Sequence, residues 1–177
     1  MVEPVDIDET PRAGEPARAY AARVAGEKCD AAVATLGSPA LAVLAADTVV
    51  VLGGEILGKP EGTEQAEAML RRLAGHRHDV LTAYRIRHGE RMLERVVVTN
   101  VTFRSLDRNE LAAYLACGEW RGKAGAYAIQ GIAGSFVTDV RGSFTNVVGL
   151  PLAEVLADLR ALQALPDYPP PAFGHMT

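Results

Sequence analysis

The sequence predicts an α/β fold in which a twisted sheet is flanked by helices. Segments whose apolar residues recur at helical spacing are interspersed with apolar runs of strand length. The run 41–52 contains one carboxylate, Asp47, and is followed by Gly53-Gly54, a pair that supplies the positive φ values of a two-residue hairpin turn. With 177 residues, 49% of them hydrophobic, the chain is long enough to bury a sizeable core.

Helix boundaries are predicted from the residues that usually begin and end helices. Pro16 suits a first helical turn, Thr63 is a candidate cap, and the run 107–110, Asp-Arg-Asn-Glu, has the form of a capping box. Gly37, Gly75 and Gly118 stop three of the helices. The predicted helices are 16–36, 63–74, 107–117 and 151–165.

Strands are predicted where apolar and polar residues alternate or where β-branched residues cluster between turn residues. The glycine-punctuated segment 119–134 is typical of a functional loop rather than a core element. No linker or repeat divides the chain, so we expect one domain over 1–165, with a break at Ser38-Pro39 and a mobile proline-rich tail over 166–177. The predicted strands are 41–52, 55–57, 80–87, 92–103, 135–140 and 143–148.

Composition excludes several classes of function. The net charge is −4 with acids and bases interspersed, so the chain has no broad basic field for nucleic acid. Cys29 and Cys117 are far apart and predict reduced thiols rather than a disulfide scaffold. No apolar run reaches membrane-spanning length and the first residues do not resemble a signal peptide, so we expect a cytoplasmic protein without a membrane partner.

The residues alone leave two side chains open to alternative interpretations. Asp47 interrupts an apolar run, so it lies either at a strand end facing a cleft or beside a cation, because an unpaired buried charge is costly. Lys28 lies on or beside the apolar stripe of the first helix. It either extends along the edge of the core with its ammonium in water or points into a cleft.

No nucleophile elbow, P-loop or dinucleotide fingerprint is present, and His76-x-His78 is expected in a surface loop. Acidic side chains at 6, 8, 9 and 47 and lysines at 28, 59 and 123 remain. Hard oxygen ligands suit Mg²⁺ or Mn²⁺, commonly shared with substrate phosphates, and lysines nearby would neutralise phosphate charge. A purely structural interpretation, with Glu9–Lys28 as a surface pair and Lys59 in a turn, stays open on spacing alone.

Five motifs, in order along 5–165, resemble the Maf family of nucleoside triphosphate pyrophosphatases. The resemblance implies an elongated, two-lobed α/β fold with a cleft, often dimeric, so a homodimer is one expectation. The motifs are Ala-Asp-Thr-Val-Val at 46–50 followed by Gly-Lys-Pro at 58–60, A-x-x-M-L-R-R-L-A-G at 66–75, Gly-Glu-Trp at 118–120, Lys-Ala-Gly-Ala-Tyr at 123–127 with Ile-Gln-Gly at 129–131, and Val-Gly-Leu-Pro-Leu at 148–152.

The resemblance also implies roles for individual residues. Asp47 matches the catalytic aspartate that activates water and helps to hold the metal, and Glu9 matches an acidic residue near the metal. Lys28 and Lys59 match lysines that contact the triphosphate, so a small nucleotide is the expected partner.

Base choice is implied at two further positions, Thr48 and Gln130. The motifs around them look like those of the branch that acts on dTTP and UTP.

In the family, the motif S-x-S-P-R-R precedes an acidic loop. This sequence begins at the residues that match that loop, so the motif itself is missing. This leaves two expectations, a start recorded too late or a shortened form. The second expectation gives an alternative function, a nucleotide-binding or regulatory protein without catalysis. A weaker alternative is a structural interaction domain.

Overall fold

The computed structural model describes residues 4–37 and 41–165, and its centre is one five-stranded sheet. The strand order is β2-β1-β3-β4-β5, and all neighbours are antiparallel. The predicted α/β class is confirmed. The expected tail at 166–177 and the break at Ser38-Pro39 lie outside the described residues. The strands are β1 (Ala42–Leu52), β2 (Glu55–Leu57), β3 (Arg77–His88), β4 (Arg91–Phe103) and β5 (Val137–Arg141).

Helices cover both faces of this sheet. No helix within the described ranges is long and apolar enough to cross a membrane. One 3₁₀ helix, Ala124–Ala126, lies within the glycine-rich segment, and a second, Ile132–Phe136, begins at its end. The α-helices are α1 (Ala17–Leu36), α2 (Thr63–Leu73), α3 (Arg108–Cys117), α4 (Phe144–Val148) and α5 (Leu152–Ala161).

The two faces of the sheet carry different layers. On one face α1 packs Tyr20, Val24 and small alanines against Val49 and Leu81. On the other face, α2, α3 and the 3₁₀ segments build the largest core cluster around residues such as Val50 and Val80. Because successive side chains of a strand point to opposite faces, neighbouring residues of β1 reach different layers.

The β1–β2 hairpin leaves one edge of β1 uncovered. Gly53 and Gly54 have φ values of 61° and 88°, which confirms the predicted turn. β2 pairs only with Val50–Leu52, so on that side residues 42–49 have no strand partner among the described residues. Side chains from both faces of β1 can therefore meet a ligand at this edge.

Several helix ends behave as predicted. Gly37 and Gly118 adopt left-handed conformations at the ends of α1 and α3, and Asp107 with Glu110 forms a complete capping box. The cap predicted for α2 is wrong, because Gly62 holds that position and Thr63 is already helical.

The prediction of a strand over 143–148 is also wrong. Ser143 caps a short helix instead, since its Oγ accepts a hydrogen bond of 3.2 Å from the Asn146 amide. Asn146 is fully buried and ties this helix to the sheet by donating to the Val80 carbonyl and the Thr99 hydroxyl, each at 3.0 Å. Tertiary hydrogen bonds thus outweigh the strand propensity of its valines.

Three further expectations need correction. The segment 119–134 is not outside the core, since Trp120, Tyr127 and Ile129 belong to the largest core cluster. His78 is not in a surface loop, because β3 begins at Arg77 and the imidazole is 2% exposed. The last helix ends at Ala161 rather than 165.

Candidate active site

A cleft of about 270 Å³ lies beside the uncovered edge of β1. Asp47 and Thr48 line it from β1, Lys59 from the turn after β2, Gln130 from the glycine-rich segment and Gly149 from the end of α4. A second depression of about 190 Å³ shares Asp47, Thr48 and Lys59 and adds Glu9 and Tyr20. The two depressions meet at Asp47 and Thr48, so the site has two compartments, one on each face of β1.

Lys28 is shared by two carboxylates at the α1 side of the cleft. Its Nζ donates to Asp47 Oδ1 at 2.8 Å and lies 2.8 Å from Glu9 Oε1. The Asp47 side chain is 10% exposed and that of Lys28 is 17% exposed, so water screens this pair only in part. Lys28 therefore points toward the two carboxylates that line the cleft and does not extend to bulk solvent.

Burial and ion pairing act in opposite directions on these groups. Burial raises the pKa of Asp47, and the hydrogen bond from Lys28 offsets only part of that rise. The Lys28 hydrogen bond holds the pKa of Glu9 below its usual value. Burial would lower the pKa of Lys28, but its bonds to Asp47 and Glu9 outweigh burial and raise it. A carboxylate with a raised pKa is better suited to accept a proton near neutral pH.

The N-terminal loop delivers Glu9 to this cluster. The Tyr20 hydroxyl of α1 donates to the Glu9 carbonyl at 2.8 Å, which fixes the loop beside the helix. Lys59 approaches the other carboxylate oxygen of Glu9 at 3.5 Å and is largely exposed. Both alternatives for Asp47 hold in part, because the carboxylate is paired with a cation and also lines the cleft.

The donor set fits a hard divalent cation. Glu9 and Asp47 converge on one ammonium, and both offer only oxygen ligands. No group of three or more metal-ligating side chains occurs within the described ranges. A cation here would therefore take its remaining ligands from substrate phosphates and water, which is the usual arrangement for Mg²⁺.

The α4 side of the cleft is built differently. Thr48 Oγ1 lies 2.8 Å from Thr82 Oγ1 on β3 and 3.4 Å from the Gly149 carbonyl. Gln130 is exposed at the rim, and Lys123 also lines this compartment. These side chains carry no net negative charge, in contrast to the Asp47 side.

Close approach of the glycine-rich segment to β1 closes this compartment. Gly125 has φ of 65° and donates to the Gly58 carbonyl at 3.1 Å. A Cβ there would come within 3.0 Å of the Val50 side chain.

Comparison with known proteins identifies the chain. The family model described as Maf-like protein matches residues 1–162. The chain belongs to the Maf family. A protein of Cereibacter sphaeroides named dTTP/UTP pyrophosphatase is 52% identical to this Maf protein over 165 residues, covering 93% of this chain and 84% of the relative. A protein of the same name from Anaeromyxobacter dehalogenans strain 2CP-C is 52% identical, and the match covers 90% of this chain and 81% of the relative. Another from Myxococcus xanthus is 53% identical, and the match covers 88% of this chain and 78% of the relative.

In this Maf protein five of the six predicted site residues line the two compartments, and the sixth, Lys28, contacts two of them, Asp47 and Glu9; their roles stay predictions. Sequence reasoning missed Glu119, whose carboxylate accepts the Ile132 and Ala133 amides at 2.8 and 3.2 Å and so anchors the turn that carries Gln130. The signal was its place in the Gly-Glu-Trp motif. It also missed Thr82 and Asn146, whose contacts depend on strand register.

Proposed function

We propose that this Maf protein hydrolyses dTTP and UTP to the nucleoside monophosphate and pyrophosphate, and so clears unwanted or modified nucleotides. The observation that carries the proposal is the pairing of a partly buried carboxylate, Asp47, with Lys28 at the edge of a two-compartment cleft. Relatives named for this activity match about nine tenths of the chain. The protein would act in the cytoplasm, and we expect a homodimer that binds no nucleic acid.

Asp47 would act as the general base. Its carboxylate accepts a proton from a water molecule, the water oxygen attacks the α-phosphorus, and the bond from that phosphorus to the bridging oxygen breaks. Pyrophosphate leaves with the electron pair of that bond. Burial supports this role because it raises the pKa of Asp47 and strengthens it as a base.

Lys28 and Lys59 would bind the triphosphate. The ammonium of Lys28, which is half-buried, lies 2.8 Å from Glu9, and that of Lys59, which is exposed, lies 3.5 Å from it. Together they would give positive charge to the compartment that Glu9 lines, where the phosphates would bind. They neutralise charge that accumulates on the phosphate oxygens during transfer. Lys28 exchanges its bond to Asp47 for a phosphate oxygen, which frees the carboxylate to accept a proton.

Glu9 and Asp47 would hold Mg²⁺ or Mn²⁺ together with phosphate oxygens. Bound there, the cation supplies positive charge that polarises the phosphoryl oxygens. Thr48 and Gln130, in the other compartment, would contact the base.

Substitution of Asp47 tests the mechanism. In Asp47→Asn we expect pyrophosphate release from UTP and dTTP to fall at least about a hundredfold, because the amide cannot accept the proton. Asp139→Asn is the matched control, since Asp139 lies on β5 and pairs with Arg141 outside the cleft. Equal rates in wild type and Asp47→Asn would overturn the mechanism. Nucleotide binding without turnover by the wild type would instead support the non-catalytic alternative.

A further inference from the structure

A buried hydrogen-bond relay lies directly beneath Thr48. The side chains of Thr82 and Asn146 are inaccessible to solvent, and Thr82 Oγ1 donates to the Asn146 backbone carbonyl at 2.9 Å. The same Thr82 oxygen lies 2.8 Å from Thr48 Oγ1. Thr48 is the member of this relay that lines the cleft.

One arrangement of the hydroxyl protons satisfies the whole relay. A carbonyl can only accept, so in this arrangement Thr82 donates its single proton to the Asn146 carbonyl. The contact between the two hydroxyls, in which either oxygen can be the donor, then has Thr48 donating to Thr82. The other neighbour of Thr48, the Gly149 carbonyl at 3.4 Å, is also an acceptor. Whether it is donated to Thr82 or to the Gly149 carbonyl, the Thr48 proton is held by the protein, which leaves a lone pair of Thr48 for a ligand in the cleft.

The residue that accepts at the buried end of the relay, Asn146, is fixed by hydrogen bonds of its own side chain. The Asn146 side chain donates to the Val80 carbonyl and to Thr99 Oγ1. Thr99 in turn donates to the Ser143 carbonyl at 3.1 Å and accepts the Ser143 amide at 3.0 Å. These bonds anchor the start and the middle of α4 to the sheet without contacting Thr48.

We propose that Thr48 recognises the base as an obligate hydrogen-bond acceptor, taking the N3–H of uracil or thymine, and that Thr82 is the positioning residue that enforces this. The proposal rests on the proposed function. Uracil and thymine carry the same N3–H between two carbonyl groups, so one acceptor serves both. Cytosine has a lone pair at N3, which would face the lone pairs of Thr48.

The neighbouring group in the cleft complements this pattern. Gln130 is exposed at the rim and its amide N–H can donate to a base carbonyl beside N3–H. A donor and an acceptor that line the same compartment match the imide edge of uracil and thymine. Sites that hydrogen-bond a substrate group reject analogues that lack it, because the buried polar atom is then left unpaired.

The test compares UTP, CTP and N3-methyl-UTP as substrates. For wild type we expect kcat/KM for UTP to exceed that for CTP and for N3-methyl-UTP by about a hundredfold or more. In Thr82→Val the Thr48 proton loses its acceptor at 2.8 Å and keeps only the Gly149 carbonyl at 3.4 Å, so it can turn toward the cleft more easily and the UTP-to-CTP ratio should fall by about tenfold. Thr82→Ser keeps the hydroxyl and should keep the ratio.

Thr99→Val is the matched control. It makes the same chemical change at an equally buried position in the same network but leaves the contacts of Thr82 with Thr48 and Asn146 in place. We expect a lower melting temperature and an unchanged UTP-to-CTP ratio. A loss of discrimination in Thr99→Val equal to that in Thr82→Val would overturn the assignment, because general loosening of α4 would then explain both.

The outcomes separate this inference from the proposed function. Wild-type protein that hydrolyses UTP, CTP and N3-methyl-UTP equally would refute the Thr48 assignment and leave the pyrophosphatase activity standing. Protein that hydrolyses none of them would refute the proposed function. For such an inactive protein, calorimetry would measure the dissociation constants of UTP and N3-methyl-UTP instead. Tighter binding of UTP supports the assignment of Thr48, and equal binding refutes it.

Discussion

Lys28 stabilises two carboxylates at once, which makes it the residue on which the electrostatics of the cleft depend. Asp47 is the more buried of the two, and burial already raises its pKa. Without the ammonium, Asp47 would be a charged group in a partly dehydrated site with no other cation within hydrogen-bond distance among the described residues. Lys59 lies near Glu9 but is largely exposed, so it contributes much less.

We therefore expect Lys28→Met to lower the free energy of unfolding at pH 7 by about 2 kcal/mol, since it breaks a half-buried pair and leaves one charge behind. The loss should shrink on acidification. A raised pKa means that folding favours the protonated carboxyl, so stability is regained as the pH falls through the pKa of Asp47. Urea denaturation at several pH values measures this.

Lys59→Met is the control for the same experiment, and we expect little change in its unfolding curve. An equal loss in both variants would show that the cluster acts as a loose surface network.

The same cluster shows what residue patterns reveal about the site. The motifs predicted that Glu9, Lys28, Asp47 and Lys59 belong together, and the structure joins them by ion pairs. Spacing alone did not decide whether Lys28 points into a cleft, because a lysine beside an apolar stripe fits both interpretations. The distance from Nζ to Asp47 depends on how α1 crosses β1, and no local pattern encodes that.

At the scale of elements, Glu119 joins α3 to the wall of the cleft. Its carboxylate accepts two backbone amides at the start of the second 3₁₀ helix. A Cβ at Gly131 would lie 2.1 Å from that carboxylate, so the turn after Gln130 is packed directly on it. The position of Gln130 therefore depends on an acidic residue eleven positions earlier in the chain.

We expect Glu119→Ala to raise KM for UTP by about tenfold while changing kcat less, because a misplaced Gln130 weakens binding more than chemistry. Asp107→Ala is the matched control, since Asp107 also accepts two backbone amides, at the start of α3, away from the cleft. It should destabilise the protein by about 1 kcal/mol and leave KM unchanged. Steady-state kinetics and thermal unfolding of both variants give the comparison, and a KM unchanged in Glu119→Ala would contradict it.

Elements were predictable where local signals determine them. The α1 stop at Gly37, the hairpin at 53–54 and the α3 capping box needed only the residues themselves. The short α4 helix was not predictable, because the alternation of its residues fits a strand. Its helical state depends on Asn146 reaching β3 and β4, which are more than forty residues away in the sequence.

At the scale of the whole molecule, the sheet order was beyond local patterns as well. Asp47 lies opposite Ala83 and Thr48 opposite Thr82 in the antiparallel register. A shift of one residue would turn Asp47 toward α4 and Thr48 toward α1, which would exchange the two compartments. The prediction of a single domain over 1–165 stays a prediction.

Acid stability is a property of the whole core, and His78 should dominate its first phase. Burial lowers the pKa of this imidazole from 6.5 to about 4. It packs edge-on against Phe103 and Tyr127, and its Nε2 lies 2.9 Å from the Tyr127 hydroxyl. A depressed pKa means that the unfolded chain binds the proton first. Stability is therefore full above pH 6.5 and is lost progressively down to about pH 4.

Carboxylates act at lower pH, where Arg23 and Arg104 hold the pKa values of Glu15 and Glu110 at about 2. The raised pKa of Asp47 acts in the opposite direction to His78, because the stability contributed by Asp47 increases as the pH falls through its pKa. We expect His78→Gln to remove about 3 kcal/mol of the decrease in unfolding free energy between pH 7 and pH 4, since one pKa unit corresponds to 1.36 kcal/mol. His76→Gln, at an exposed position two residues away, should follow the wild-type curve. Parallel pH curves for wild type and His78→Gln would show that the core tolerates a charged His78, and the acid transition would then belong to the carboxylates alone.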